Sequence, residues 1–249
     1  MARYFLKISY DGTAYAGWQT QNNATSVQQV LQSVLEKVLR QAVRLVGSSR
    51  TDAGVHAIGQ VAQADFFTED SLEQCLYKLN MALPEDISIR EIREVRPDAR
   101  CRFDAVARSY RYVIQRRKMP VGRQYAHGWF GSINLDAMQE CCRDILAARD
   151  FQAFSKVHTQ VKHFECRIEF ARWTETDDGL LIFEIRANRF LRGMVRALVG
   201  TMLEVGKGRR SNEDFRAVLS GKNRRLAGEN VPAKGLCLME VDYPETVYL

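Results

Sequence analysis

The chain has 249 residues, enough for one large domain or two small ones. Hydrophobic residues make up 46% and charged residues 27%, a composition that excludes a disordered chain and predicts a packed core. The formal net charge is +6, and since nine of the 36 basic residues are lysine, 27 are arginine. This balance favours a polyanionic partner, because a guanidinium group can hold a phosphate through two hydrogen bonds.

The cysteines and histidines predict no metal site. The six cysteines show no C-x-x-C spacing, and their apolar neighbours indicate buried free thiols. His158, His163 and Cys166 could be drawn together as a cluster, but their spacing fits no common zinc pattern.

The N-terminal residues alternate between polar and apolar types and lack the continuous apolar run of a signal peptide. No stretch of the sequence is long enough to span a bilayer. We therefore expect a cytoplasmic protein with reduced cysteines and no membrane association.

The first half of the chain alternates between strand and helix patterns. In chain order the patterns predict a strand at 4–10, a helix capped by Thr25 or Ser26, strands at 43–48 and 60–67, a helix at 72–79 that ends before Pro84, and a strand at 87–95. The first helix is the clearest element, because its apolar residues follow the 3.6-residue period. The order β-α-β-β-α-β is that of ferredoxin-like and RNA-recognition-motif domains.

Arg96-Pro97-Asp98 interrupts this pattern and indicates a domain boundary, which we place between residues 104 and 105. The rest of the chain predicts a strand at 106–115, a helix at 135–148, a hairpin of strands at 165–174 and 180–187, helices at 190–205 and 212–219, and a strand at 236–243. We therefore expect an α+β fold of two such domains, 1–104 and 105–249, with a cleft between their sheets.

The loop after Ser48 is the first candidate site. It lies between two predicted strands and brings Arg50, Asp52 and His56 within a few residues. From the residues alone, a solvated turn in which Asp52 caps the backbone is the simpler interpretation. A triad of Ser49, Asp52 and His56 is disfavoured, because triad members normally converge from distant segments.

The apolar helix at 190–205 carries the second clue. Apolar residues cover nearly its whole circumference, so we expect it to be buried, with Arg196 in its middle. A buried guanidinium needs a carboxylate, and Asp52 is a candidate. Arg189 and Arg192 are spaced to lie on one helical face with Arg196, where they could contact a substrate or simply be solvated.

Two tyrosines open the second predicted domain. Strand alternation places Tyr110 and Tyr112 on one face and Arg111 on the other. We expect Tyr112 to pack in the core, whereas Tyr110 could stack on an unpaired base.

The segment Arg50-Thr51-Asp52-Ala53-Gly54-Val55-His56 resembles the signature loop of the TruA-type tRNA pseudouridine synthases. Further segments resemble that family in the same order: Tyr10-Asp11-Gly12-Thr13, Gly17-Trp18-Gln19-Thr20-Gln21, Tyr110-Arg111-Tyr112, Asn188-Arg189-Phe190, Met194-Val195-Arg196, Leu203-Glu204-Val205-Gly206, Gly235-Leu236 and Val241-Asp242-Tyr243-Pro244. Together they span almost the whole chain. One departure is Phe190-Leu191-Arg192-Gly193, where a His-rich stretch is expected, so the role of Arg192 stays open.

The resemblance implies isomerisation of uridine to pseudouridine at positions 38–40 of the tRNA anticodon stem-loop. It implies a homodimer that binds tRNA and uses no cofactor and no metal. By the same resemblance Asp52 is the nucleophile, Arg50 displaces the base, Tyr110 stacks on the base, and Arg196 pairs with the nucleophile. We expect Arg189 to contact the RNA as well.

Two other functions are compatible with parts of the sequence. A non-catalytic double RNA-recognition-motif protein would share the order of elements and the charge, but the aromatic-rich strand motif of such domains is absent from the sequence. A ferredoxin-like enzyme acting on a small molecule is disfavoured by the arginine surplus and by the lack of a nucleotide-phosphate loop.

Overall fold

The structure is a computed structural model that describes residues 1–156 and 161–249. It is a mixed α+β protein whose chain divides into two compact units. Unit 1 contains Met1–Val106 and Cys237–Leu249, and unit 2 contains Ala107–Leu236. The sequence-based domains differ from these units at the C-terminus, because residues 237–249 were assigned to the second domain.

Unit 1 follows the predicted order of elements. These are β1 (Ala2–Tyr10), α1 (Val27–Leu39), β2 (Leu45–Gly47), β3 (His56–Phe66), α2 (Leu72–Ala82) and β4 (Ile87–Val95). Strand β1 pairs antiparallel with β3 on one side and with β4 on the other, and β2 pairs antiparallel with β3. Strand β3 begins four residues earlier than expected, so His56 opens the strand instead of lying in the loop before it.

The two helices of unit 1 begin at serine caps. The Ser26 hydroxyl accepts a hydrogen bond from the Gln29 amide at the start of α1, and Ser71 does the same for Gln74 in α2. Helix α1 buries Val27, Leu31 and Leu35 completely, and α2 buries Cys75 and Leu79. Each buried leucine stabilises the fold by roughly 1.5–3 kcal/mol, so the predicted apolar stripes fix these helices on the sheet.

The C-terminal strand explains why unit 1 includes residues 237–249. Strand β9 (Leu236–Asp242) pairs parallel with β3, where Cys237 and Leu238 lie opposite His56 and Ala57. Beyond β9, the Tyr243 hydroxyl donates a hydrogen bond to the carbonyl of Cys101. These bonds join residues that are far apart in sequence, and a pattern read along the chain does not contain them.

Unit 2 contains β5 (Ala107–Gln115), β6 (His127–Gly128), α3 (Leu135–Ala147), β7 (Ile168–Glu175), β8 (Leu180–Ala187), α4 (Met194–Gly206) and α5 (Asn212–Gly221). Strand β8 pairs antiparallel with both β5 and β7, and the short β6, which was not predicted, pairs parallel with the end of β5. The hairpin between β7 and β8 turns at Gly179 with a φ of 83°, as its Asp-Gly sequence predicts.

Helix α4 is buried almost all round, as predicted, but it begins at Met194 and not at residue 190. Gly193 precedes it with a φ of 75°, a left-handed conformation that interrupts a helix. Arg189 and Arg192 therefore lie outside the helix, and the prediction that they share a helical face with Arg196 is wrong.

Glycines in α4 allow other backbone and side chains to approach it closely. A Cβ atom at Gly200 would overlap the backbone carbonyl of Glu229, and one at Gly206 would overlap the side chain of Met138 in α3. In the Leu203-Glu204-Val205-Gly206 segment, Gly206 therefore has a structural role, because only glycine leaves room for Met138. Glu204 also has a structural partner, since it forms an ion pair with Arg210.

We predict that Gly200→Ala lowers the free energy of unfolding by about 2 kcal/mol, because the new methyl group meets backbone that cannot move aside. Gly221→Ala is the matched control. A Cβ atom there makes only an ordinary contact with Leu226 at 3.5 Å, and alanine favours the helix by about 0.4–1 kcal/mol. Urea unfolding followed by circular dichroism measures both, and equal stability of the two variants would contradict the proposed close approach.

Candidate active site

The loop between β2 and β3 is anchored at its start by buried hydrogen bonds. The Ser48 amide donates to the Val61 carbonyl at 2.8 Å, and the Ser48 hydroxyl donates to the Gln60 side chain at 2.8 Å. The Gln60 amide group donates in turn to the Ser49 carbonyl at 2.9 Å. Gln60 is fully buried, and sequence reasoning missed it, although a glutamine between apolar strand residues is a signal for a buried polar anchor.

Thr51 forms the second anchor of the loop. Its hydroxyl shares a buried hydrogen bond of 2.7 Å with the Tyr10 hydroxyl, and its carbonyl accepts from the Trp18 amide at 3.2 Å. Gly17 has a φ of 93°, and a Cβ atom there would lie 2.6 Å from the Thr51 carbonyl oxygen. The Gly17-Trp18 segment thus packs directly against the residue before Asp52.

The loop ends in a tight turn from Asp52 to Val55. The Val55 amide donates to the Asp52 carbonyl at 3.1 Å, and Gly54 has a φ of 75°, as the third position of a type II turn requires. A Cβ atom at Gly12 would overlap the carbonyl of Val55. The Asp11-Gly12 turn therefore lies against the back of this turn, backbone to backbone.

His56 joins the end of the loop to the turn after β1. It is buried, and its Nδ1 atom lies 3.1 Å from the Gly12 amide nitrogen and 3.1 Å from Oδ1 of Asp11. A neutral imidazole accepts the Gly12 hydrogen bond through Nδ1, whereas a protonated one donates to Asp11 instead. In either state His56 contacts the Asp11-Gly12 turn. His56 is therefore a positioning residue for the loop.

Of the two charged candidates of the loop, Asp52 begins this anchored turn and Arg50 lies two residues before it. Asp52 is half-buried and Arg50 is exposed. Because the residues on both sides of Asp52 are fixed by hydrogen bonds, its backbone is a rigid support for the carboxylate.

Tyr110 and Tyr112 differ in environment. Tyr112 is fully buried, and its hydroxyl donates to the Pro232 carbonyl at 2.9 Å. Burial raises the pKa of this phenol, and the prediction that Tyr112 is a packing residue is confirmed. Tyr110 is half-buried on β5 and meets the ring of Phe190 edge-on, with centroids 5.0 Å apart.

Arg196 is less buried than predicted. It is half-buried, and its Nε donates to the Val231 carbonyl at 2.7 Å, while the Val231 amide donates back to the Arg196 carbonyl at 3.3 Å. A backbone carbonyl satisfies one of its donors, which is a partner that sequence does not reveal.

The remaining basic candidates lie before α4. Arg189 is half-buried, and its guanidinium lies 3.0 Å from Nε2 of His163. Arg192 is exposed, and its carbonyl accepts from the Lys156 amide at 2.9 Å. Arg108 was missed by sequence reasoning; it is buried and donates to the carbonyl of Asn188 at 2.9 Å.

Among residues 1–156 and 161–249, no group of three or more His, Cys, Asp or Glu side chains could hold a metal ion, and no helix is long and apolar enough to cross a membrane. His158 of the drawn cluster lies outside the described residues. Burial raises the pKa of the Cys142 thiol to about 12, so this thiol stays protonated and unreactive.

Comparison with known proteins identifies relatives along the full chain. A sequence model described as tRNA pseudouridine synthase matches residues 7–104 and 145–244. A tRNA pseudouridine synthase A from Bacteroides thetaiotaomicron is 47% identical and covers 100% of this chain and 93% of the relative. Proteins of the same description from Bacteroides fragilis and Parabacteroides distasonis are 44% and 42% identical, covering 99% and 100% of this chain and 98% of each relative.

A crystal structure of a Cbf5-Nop10-Gar1 complex resembles the chain weakly. The TM-score is 0.36 at 9% identity, over 94% of this chain and 57% of that chain. This likeness is too low to carry an argument about fold or function, so the relationship depends on the sequence matches.

We predict that Tyr10→Phe loosens the loop, because it leaves the buried Thr51 hydroxyl without its tyrosine partner at a cost of about 1–3 kcal/mol. Tyr112→Phe is the matched control, since it also removes one buried tyrosine hydroxyl but lies in unit 2. Hydrogen-exchange mass spectrometry measures the difference. Faster exchange of residues 49–56 in Tyr10→Phe alone is expected, and the same exchange in both variants would show that Tyr10 does not anchor the loop.

Proposed function

The chain belongs to the tRNA pseudouridine synthase family, and we propose that it modifies the anticodon stem-loop, at positions 38–40, with Asp52 as nucleophile. The isomerisation of uridine to pseudouridine in tRNA follows from the full-length relatives. This family membership displaces the two alternatives raised from the sequence, a non-catalytic RNA-binding protein and a small-molecule enzyme. One observation carries the role of Asp52: it is the carboxylate on a turn anchored at both ends.

The reaction needs a nucleophile of this kind. The N1–C1′ bond breaks, the uracil rotates, and a C5–C1′ bond forms, after which the C5 proton leaves and N1 gains a proton. An ionised carboxylate promotes this by attacking C1′, as glycosidase nucleophiles do, or by adding to C6 of the ring. Both routes require Asp52 to be ionised when the substrate is bound.

We propose that Arg196 pairs with Asp52 and keeps it ionised. Exclusion of water by the substrate disfavours a charged carboxylate, and a guanidinium opposes this effect. The hydrogen bond from Nε to the Val231 carbonyl fixes the plane of the Arg196 guanidinium. A fixed guanidinium loses less conformational entropy when it meets a carboxylate than a solvated one does.

Arg50 and Tyr110 are proposed to handle the flipped base. A uridine in a stem must leave the base stack, at a cost of a few kcal/mol. Arg50 is exposed two residues from Asp52 and can fill the vacated space and hold a phosphate. Tyr110 is half-buried, with its ring oriented by Phe190, and can stack on the extruded uracil. Arg189 is proposed as a further RNA contact.

We also propose a cytoplasmic homodimer in which each chain contains two ferredoxin-like domains. The order β-α-β-β-α-β in unit 1, with β1 between β3 and β4 and with β2 beside β3, supports the ferredoxin-like interpretation for that unit. In unit 2 the order β5-α3-β7-β8-α4 reproduces the first five of these six elements, with β6 and α5 inserted, and the strand that follows, β9, belongs to unit 1.

We predict that Asp52→Asn retains the fold and tRNA binding but abolishes tritium release from tRNA labelled at C5 of uridine, because an amide is not a nucleophile. The control is Asp177→Asn, which neutralises an exposed carboxylate in the β7–β8 turn. Turnover of Asp52→Asn close to that of the wild type would end the assignment.

We predict that Arg196→Leu loses most activity near neutral pH and that its residual rate rises toward higher pH. Loss of the guanidinium favours the protonated carboxylic acid, so more alkaline solution is needed to form the carboxylate. The pH dependence of single-turnover rates measures this. A residual rate with the wild-type pH profile would mean that Arg196 stabilises the fold near Val231 without acting on Asp52.

A further inference from the structure

The segment 116–131, here called the basic segment, connects β5 to the loop before α3 in unit 2. It reads RRKMPVGRQYAHGWFG, with four arginine or lysine residues and no aspartate or glutamate. It lies outside the residues that match the family sequence, which are 7–104 and 145–244. None of the motifs that resemble the family lies in this segment, and the roles proposed for the reaction do not use it.

The basic segment is held as a defined surface. Strand β6 pairs parallel with the end of β5, where His127 lies opposite Ile114. The Trp129 amide donates to the Gln115 carbonyl at 3.0 Å, and the Lys234 ammonium donates to the Arg123 carbonyl at 3.2 Å. These bonds fix both the middle and the end of the segment.

Cations from other elements gather at the same surface. The Lys207 ammonium lies 3.4 Å from the centroid of the Trp129 ring. Burial lowers the pKa of His127, and the nearby charges of Lys207 and Lys234 lower it further. Burial and Arg209 likewise lower the pKa of Lys207. These positive charges are thus close enough to repel one another, and a bound anion would reduce that repulsion.

Two of the acidic groups nearby are already paired, whereas Asp177 and Asp178 are exposed in the β7–β8 turn, whose Gly179 lies against Arg117. Glu175 lies 3.6 Å from Arg116, and Glu204, which opposes the lowering of the Lys207 pKa, forms an ion pair with Arg210. By contrast Arg117, Lys118 and Arg123 are exposed. The surface therefore has an excess of positive charge.

Exposed aromatic rings accompany these charges. Phe130 is 64% exposed and Tyr125 is 45% exposed. An exposed ring beside phosphate-binding cations is the combination that binds unpaired nucleotides, because every base has a face that can stack.

We propose that the basic segment, with Lys207 and Lys234, is an RNA-binding surface that holds phosphates of the tRNA and stacks one of its unpaired bases. This contact would be additional to those of Arg50, Tyr110 and Arg189, and it rests on the proposed action on tRNA. A second copy of the chain fits less well, because a two-fold dimer through this surface would bring like charges together.

The test compares two triple variants that each remove three positive charges. In R117Q/K118Q/R123Q the charges are lost from the basic segment, and in K37Q/R90Q/R143Q they are lost from exposed positions on α1, β4 and α3. Binding of unmodified tRNA is measured by fluorescence anisotropy between 50 and 300 mM salt (on the order of the physiological range). Pseudouridine formation at saturating tRNA is measured with the same proteins.

The basic-segment variant is expected to bind tRNA about 10- to 100-fold more weakly near 0.1 M salt, with a salt slope smaller by about 2, since each lost phosphate contact removes about 0.7–0.9. Its rate at saturation should stay near that of the wild type. The second variant should keep the wild-type slope. Phe130→Ala should weaken binding about tenfold without changing the salt slope, because stacking contributes about 1–3 kcal/mol per base.

Equal affinities and salt slopes in the two triple variants would overturn the inference. A changed sedimentation coefficient of the basic-segment variant with unchanged tRNA affinity would also overturn it and would assign the surface to a second copy. Failure of the proposed function is a separate result, because wild-type protein would then form no pseudouridine at positions 38–40, whatever the affinities of the variants.

Discussion

The turn that carries Asp52 depends on two glycines that precede it by about forty residues. At Gly12 and Gly17 the backbone of the first motif touches the carbonyls of Val55 and Thr51 so closely that no Cβ atom fits. Because backbone packed on backbone has no rotamers that could adjust, the turn is held in a single position against the Gly12 and Gly17 segments. The hydrogen bonds of Tyr10 and Trp18 to Thr51 then fix the orientation of the turn as well. The two motifs at the N-terminus are therefore one structural unit with the loop.

The same principle operates in unit 2, where a rigid helix replaces a rigid turn. Helix α4 is buried almost all round, and Gly200 lets the backbone of the segment after α5 pack on it. That segment supplies the Val231 carbonyl, which accepts from Nε of Arg196. This bond holds the Arg196 side chain in a fixed direction on a helix that cannot shift.

The arginine surplus serves two different purposes. On the sheet of unit 2, Arg111 and Arg172 both pair with Glu184, and this ladder lowers the pKa of that carboxyl group against the opposing effect of burial. Partly exposed pairs of this kind contribute little to stability, typically about 0–1 kcal/mol. In the basic segment, by contrast, Arg117, Lys118 and Arg123 are exposed, so their charge is available to a polyanion. A net charge of +6 does not distinguish these two uses.

Sequence alone determined most of the elements, though not all their bounds, because periodicity and caps are local. A cap of α1 at Thr25 or Ser26, β4 at 87–95 and the burial of α4 follow from spacings within one or two turns. It also determined the family, through motifs in a fixed order. Only the tertiary structure decided the start of α4 after Gly193, the carbonyl partner of Arg196 and the place of residues 237–249 in unit 1. These features depend on a backbone conformation or a hydrogen bond between residues up to 181 positions apart (His56 and Cys237), and no local pattern records such pairings.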